Sequence, residues 1–393
     1  MQLWKRNLFF IWISQFLAMM GMSAIVPFLP LYIRDLGVSG VDATAAWSGW
    51  IFAGPFFISL FLTPVWGSLG DKYGRKLISL RAIFGLAIAQ LLIGIAQSPE
   101  QLLIFRFIQG GLSGFTPSAM AMVAANTPEE KNSYALGLLQ TSVASGTVIG
   151  PLVGGLLADI FGNRMVFFIV AALLFITGIF FAIYVKEKKF ESGTNHRFTL
   201  VENTRYVFQN KKLRYTFYLI LLTSFAFAFI RPIFVLYVEE FHVSKEFFTT
   251  ITGLLYGVVG IFTAISAPLW GKMAQKRGIN NVIIMASVIT GSMYLMHLVV
   301  LDIYSLAPVR AVLGFGYGGL LPLMFASISA DTPHNRKSGV MGIGSSAQIL
   351  GNILGPSLSG TIAAFMGLRF PFFISGITFG AIIYIAYKLR EGQ

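Results

Sequence analysis

Twelve long apolar runs divide this chain, each near the ~20 residues that carry a helix across a bilayer. Nothing constrains the fold more. The runs are continuous rather than alternating, so they predict spanning helices. The first, fourth, seventh and tenth are expected over 8–33, 101–125, 213–238 and 304–329. Composition agrees, with 55% hydrophobic and 11% charged residues and a mean hydropathy of +0.73, against the ~25% charged residues usual in soluble domains. The first run is too long for a signal-peptide core, and no small-residue cleavage site follows it, so it is expected to stay as a helix.

Most connections are short. The exception is 187–212, which is polar and basic and reads as a linker. Within it, the stretch TLVENTRYVFQ predicts an amphipathic helix on the membrane surface. The Lys and Arg residues set the expected orientation. With the N-terminus inside, Arg34, Arg164, Lys245 and Arg369 lie outside and Arg106, Arg231 and Arg310 lie within spans; the rest fall on the cytoplasmic side. That bias predicts both termini in the cytoplasm and explains a net charge of +13 without nucleic acid. The absence of cysteine excludes disulfides, thiolate metal sites and cysteine nucleophiles.

The sequence also repeats itself. Pro64, Trp66, Gly67 and Gly74 recur as Pro268, Trp270, Gly271 and Gly278. Arg106 recurs as Arg310, Gly150-Pro151 as Gly355-Pro356, and Pro27 and Tyr32 as Pro232 and Tyr237. The offset stays near ~205 residues throughout, the mark of a duplicated unit. It predicts a six-helix half over 1–186, the linker over 187–212 and a second half over 213–393. Transporters are commonly built so, with the substrate site near the midplane.

Specific stretches resemble a known family. Gly67-x-Leu69-x-Asp71-x-x-Gly74-Arg75-Lys76 resembles the loop 2–3 signature of the major facilitator superfamily. Arg106-x-x-Gln109-Gly110 resembles its fourth-helix signature. Gly146-x-x-x-Gly150-Pro151-x-x-Gly154-Gly155 resembles the fifth-helix signature of its antiporters, and Gly21-x5-Pro27-x-x-Pro30 the first-helix pattern of the same group. The chain is similar end to end to the twelve-helix drug:proton antiporters. The resemblance implies an all-α membrane protein, with twelve transmembrane helices in two pseudo-symmetric six-helix halves, in a bacterial cytoplasmic (inner) membrane. It also implies that Asp71 and Arg75 join a charge network latching the halves on the cytoplasmic face. Asn126 stands where relatives carry an acidic partner, which leaves Glu129 or Glu130 as substitutes. Gln275 replaces the aspartate in the second-half copy, so the latch is expected to be asymmetric.

Glycines at 67, 70 and 74 let the second and third helices turn and pack closely. The Gly-x-x-x-Gly spacings ending at Gly150 and Gly355, with kinking prolines Pro151 and Pro356, predict tight seams that must open and reclose. Gating is therefore assigned to Asp71, Arg75, Gly67, Gly74, Gly150, Pro151, Gly355 and Pro356.

A charge within the apolar slab costs at least ~2.5 kcal/mol, so it must face a cavity or a partner. Arg106 and Arg310 are expected about 8 Å below the outer end of their helices, and Arg231 about 10 Å. His297 is expected near the same level. No carboxylate lies mid-span. Asp35 ends the first span, Glu239 and Glu240 end the seventh, and Asp35 and Glu240 are repeat mates. The repeat predicts Asp35 paired with Arg106 and Glu239 or Glu240 with Arg310, as proton-coupling switches. Helical spacing adds polar faces: Arg106 and Gln109 on the fourth helix, Gln140 on the fifth, Gln348 and Asn352 on the eleventh. With Arg231 and Arg310 these are the expected substrate-binding residues.

No metal-spaced cluster, serine–histidine pair or phosphate-binding loop appears, so neither an enzyme nor a cofactor or metal is expected. Lacking an ATP-binding motif, the chain is expected to be a secondary active transporter, monomeric, taking protons and a small-molecule substrate as partners. The first expectation is a proton-coupled exporter of small amphipathic or anionic compounds working by alternating access, a multidrug-type efflux protein. The alternatives are a dedicated exporter of an anionic metabolite such as a carboxylate siderophore, and a proton-coupled nutrient importer.

Overall fold

The computed structural model describes residues 3–187, 199–333 and 336–391. The central part of the expected linker, 188–198, lies outside them. Every regular element among the described residues is a helix. The first half runs α1 (Leu3–Ala24), α2 (Leu29–Asp35), α3 (Val41–Tyr73), α4 (Arg75–Gly94), α5 (Pro99–Leu112), α6 (Phe115–Asn126), α7 (Glu129–Phe161) and α8 (Asn163–Tyr184). After the short α9 (Leu200–Gln209), the order recurs as α10 (Lys211–Ile230), α11 (Phe234–Glu239), α12 (Phe248–Arg277), α13 (Ile279–Met296), α14 (Ile303–Tyr317), α15 (Leu320–Ala330), α16 (Lys337–Met366) and α17 (Phe370–Glu391).

Eleven stretches among the described residues are long and apolar enough to cross a membrane. The fourth expected span is not one of them. It is broken at Ser113–Gly114 into α5 and α6, because Gly114 adopts a left-handed conformation (φ 109°) that ends one helix and starts another. The first, seventh and tenth spans are broken too, where one continuous helix each was expected. Pro27 and Pro232 lack the N–H that would carry the helix on, so the chain turns at 25–28 and 231–233 before α2 and α11 resume. Gly318 and Gly319 separate α14 from α15. The breaks fall at repeat-related positions, so the duplication extends to the interruptions.

The helices cluster into two compact units. One comprises the described residues of Met1–Val38, Gly54–Thr194 and Ser244–Gly257; the other those of Ser39–Ala53, Asn195–Val243 and Val258–Gln393. In the first, α7 lies against α1 with glycine on its contact face. A Cβ on Gly146 would meet the Phe16 carbonyl at 2.6 Å, and Gly150 and Gly154 abut α1 at Met20–Ala24. In the second, a Cβ on Gly351 or Gly355 would lie 2.7 or 2.8 Å from the Leu221 or Phe225 carbonyl of α10. Small residues let helix backbones approach to this degree. The two shortest of these helices, α2 and α11, are each pinned by a buried tyrosine. Tyr32 donates to the Ile93 carbonyl at 2.8 Å, and Tyr237 to the His297 carbonyl at 2.7 Å. Large apolar side chains such as Phe61, Ile160 and Phe365 stay exposed on the spans, as lipid-facing positions do.

The amphipathic linker helix forms as α9. Thr199 and Glu202 build a capping box. Asn203 and Val207 turn inward, while Leu200 and Val201 stay exposed.

Candidate functional site

The first unit gathers its polar groups around the break in the fourth span. On α5, Arg106 is 8% exposed and donates to Gln109 Oε1 at 2.7 Å. Just past the break, Thr116 accepts from the fully buried Gln15 of α1 at 2.7 Å and lies beside Met19. Gln140 on α7 is exposed and points to the Met120 sulfur at 3.7 Å. The break is held from α4: Arg81 donates to the Leu112 and Ser113 carbonyls at 2.9 and 3.0 Å and lies 3.7 Å over the Trp66 ring. Trp66 donates to the Gly111 carbonyl at 2.9 Å. Arg81 is among the cations that the charge bias places on the cytoplasmic side. Its repeat mate is Met285, so the staple belongs to one half only, although Trp270 keeps the matching bond to the Phe315 carbonyl at 2.7 Å.

The loop between α3 and α4 turns at Gly74 (φ 100°). The first amides of α4 meet a carboxylate that sequence reasoning missed. Glu187, just after α8, accepts from Arg75 N at 2.8 Å and Lys76 N at 3.0 Å. The Arg75 side chain donates to the Ala121 carbonyl at 2.5 Å. The side chains of Asp71 and Glu129 lie outside the described ones. A cavity of about 70 Å³ lies here, lined in part by Trp66, Gly67, Arg75 and Ser118. It is far below the ~300 Å³ at which drug-sized ligand pockets begin.

In the second unit, Arg310 is 5% exposed, with its guanidinium 4.0 Å over the Phe234 ring of α11. Arg231, at the end of α10, lies 5.3 Å over Phe227. Phe227 stacks on Tyr317 of α14, with centroids 4.1 Å apart and planes at 16°. The repeat mates of Arg231 and Phe227 are Val26 and Met22, so this cationic–aromatic group breaks the symmetry. Comparing the halves residue by residue was the signal that would have joined Phe227 to Arg231. His297, fully buried, stacks on Phe372 at 4.7 Å. Its Nδ1 is 2.6 Å from the Met293 carbonyl; since a carbonyl only accepts, Nδ1 carries the hydrogen. On α16, Gln348 is half-buried and Asn352 donates back to the Gln348 carbonyl at 3.0 Å. Pro356 interrupts α16 as Pro151 interrupts α7.

The expected pairing of Asp35 with Arg106 does not form, and Glu240 likewise has another partner than Arg310. Asp35 accepts from Asn163 Nδ2 at 2.8 Å. Glu240 bonds Arg369 Nε at 3.2 Å. Arg164 and Arg369 are themselves repeat mates, donating to the Ala96 and Leu298 carbonyls, each at 2.9 Å. The breaks after α1 and α10 explain the change, since they carry the two carboxylates to the starts of α8 and α17. Each half thus braces the ends of its first, third and sixth spans.

The Major Facilitator Superfamily model matches residues 11–307 and again 216–392. Multidrug resistance protein MdtG of Proteus mirabilis (strain HI4320) is 35% identical over 397 residues, covering 99% of this chain and 97% of its own length. The protein of that name from Salmonella typhi is 35% identical over 389 residues, covering 99% and 96%. Among solved structures, nucleoside transporter NupG superposes with a TM-score of 0.79 at 16% identity, over 100% of this chain and 99% of that one. The human organic anion transporter MFSD10 (TETRAN) gives 0.73 at 15%, over 98% and 100%.

Proposed function

Because the chain belongs to the Major Facilitator Superfamily, we propose that it is a multidrug-type exporter of small amphipathic or anionic compounds, coupled to protons. One observation carries this reading: over nearly its whole length the chain is 35% identical to relatives named multidrug resistance protein. It works as a monomer in the bacterial inner membrane, with both termini in the cytoplasm. The halves 1–186 and 213–393, joined by 187–212, rock to expose the substrate site to either side in turn. Arg106, Arg231, Arg310, Gln109, Gln140, Gln348 and Asn352 meet the substrate. Asp35, Glu239 and Glu240, at the expected outer ends, exchange protons. Asp71, Arg75, Gly67, Gly74, Gly150, Pro151, Gly355 and Pro356 form the gates.

A narrower reading, a dedicated exporter of an anionic metabolite, draws on Arg231. The arginine stands over stacked Phe227 and Tyr317 where the other half is apolar, and a cation beside a π-stack suits a ligand with both a negative group and a flat one. Everted vesicles with an imposed pH gradient test both readings, with cationic dyes compared against carboxylates. The Arg231→Ala protein is expected to lose at least about ten-fold of carboxylate transport, the scale of one charge-assisted bond, while dye transport persists. Undiminished carboxylate transport in that variant removes the anionic reading, and no transport of either class removes the exporter reading.

A further inference from the structure

Helix α12 follows directly on a short 3-10 turn. Ser244, ahead of the 3-10 turn Lys245–Phe247, makes no side-chain capping bond, and α12 opens directly at Phe248. The first N–H groups of a helix lack acceptors within it. Here those of Thr249 and Thr250 go to one carboxylate, Asp159, near the end of α7. Thr249 N donates to Oδ1 at 3.2 Å, Thr250 N to Oδ2 at 2.7 Å, and the Thr250 hydroxyl to Oδ2 at 2.6 Å. The carboxylate also faces the positive end of the α12 dipole. Directly beneath, the two backbones touch: Gly155 lies against the Thr249 carbonyl and Gly253 against the Pro151 carbonyl, with no room for a Cβ on either.

Packing alone does not require this acid. The repeat mates Asp159 with Ala364, and Thr249 and Thr250 with Thr44 and Ala45. In the second unit Gly360 abuts the Ala45 carbonyl much as Gly155 abuts that of Thr249, so the seam is repeated. There, the position of Asp159 is taken by an alanine, which offers no acceptor. Thr44 N and Oγ1 both donate to the Gly40 carbonyl, at 3.2 and 2.7 Å. Both seams close by glycine contact, and only the first adds a carboxylate cap from the facing helix.

We propose that Asp159 is a latch: it fastens the outer end of the fifth spanning helix (α7) to the start of the eighth (α12), and its three bonds must break each time that end opens. This rests on the alternating-access reading above. The two helices come from different halves of the sequence, so the halves cannot part at this end with the bonds made. Asp159 is a positioning residue for the cycle and needs no substrate contact.

The chain has no cysteine, so Thr252→Cys supplies the sole thiol, at a fully buried site on α12 one turn below the latch. Its labelling by a membrane-impermeant maleimide in right-side-out vesicles reports opening of this end. Asp159→Asn in that background is expected to speed labelling about three- to ten-fold, the scale of losing a helix cap. Asp159→Ala should do at least as much, and Thr250→Val, which removes only the hydroxyl, less. A separate thiol at the fully buried Thr290 of α13 serves as the control and should not change. Equal labelling of the parent and the Asp159 variants overturns the latch, as does a parallel rise at position 290, which would mean general loosening. Transport is read separately: a parent that moves no substrate counts against the exporter reading, while the labelling ratio alone decides the latch.

Discussion

A carboxylate is worth what its donors make it, and Asp302 illustrates this at the simplest level. It caps α14, accepting from Ser305 N at 2.8 Å and from the Ser305 hydroxyl at 2.9 Å. The backbone bond first, and the hydroxyl second, hold its carboxyl below the ordinary aspartate range. A depressed folded-state value means that the stabilisation is full above the unfolded-state range, near ~4, and fades as pH falls through the folded value. Asp302→Asn is therefore expected to melt below the parent at pH 7, with the difference shrinking towards pH 3. Thermal melts of the detergent-purified protein across that range check it; a gap that persists undiminished in acid would assign the effect to packing instead. Such distinctions are not legible in the sequence. Asp302, Asp159 and Asp35 all read as outward acids, yet one caps its own helix, one caps a distant helix and one meets an asparagine. Which donor a carboxylate finds depends on helix ends converging in space, and spacing along the chain does not encode that.

Among the elements, the glycine seams carry the sharpest expectation. Gly154 sits against the Ala24 carbonyl of α1, leaving no space for any side chain. Overpacking costs ~1–3 kcal/mol even where the surroundings give, and here the obstacle is backbone. Gly154→Val is expected to lower the melting temperature and to abolish transport. Gly137→Ala, on the same helix with open space around it, should leave both nearly unchanged. Comparing the two variants by thermal melting and vesicle transport separates seam geometry from helix propensity. These seams were legible in the sequence, because Gly-x-x-x-Gly has one physical meaning in an apolar helix. So was α9, whose capping box and polarity are local properties. The breaks that give α2, α6, α11 and α15 were not. Hydropathy averages over a window, and a helix that stops for two to four residues in apolar sequence stays apolar. The prolines at 27 and 232 and the glycines at 114, 318 and 319 marked the places, but glycine and proline also occur in unbroken spans, as Pro151 does in α7. With the breaks unseen, Asp35 and Glu240 were aimed at Arg106 and Arg310 rather than at Asn163 and Arg369.

Duplication organises the molecule as a whole, and departures from it mark where the halves do different work. Arg81 staples a helix break in one half where the other has Met285; Arg231 stands among aromatics where the other has Val26. The end braces differ as well. In the second unit the brace is an ion pair, Glu240 with Arg369, each 38% exposed. In the first, Asp35 is held by a neutral amide. Salinity should tell them apart. Raising the medium from 0.1 to 1 M salt shortens the screening length from about 10 to about 3 Å, which weakens an exposed ion pair and acts far less on a bond to an asparagine. Amide hydrogen exchange near the start of α17 is expected to quicken in brine, by about two-fold, while the start of α8 keeps its rate. Equal responses at both ends would show that the braces are interchangeable. One of two repeat-related corners would thus soften and stiffen as salt rises and falls while its twin held still.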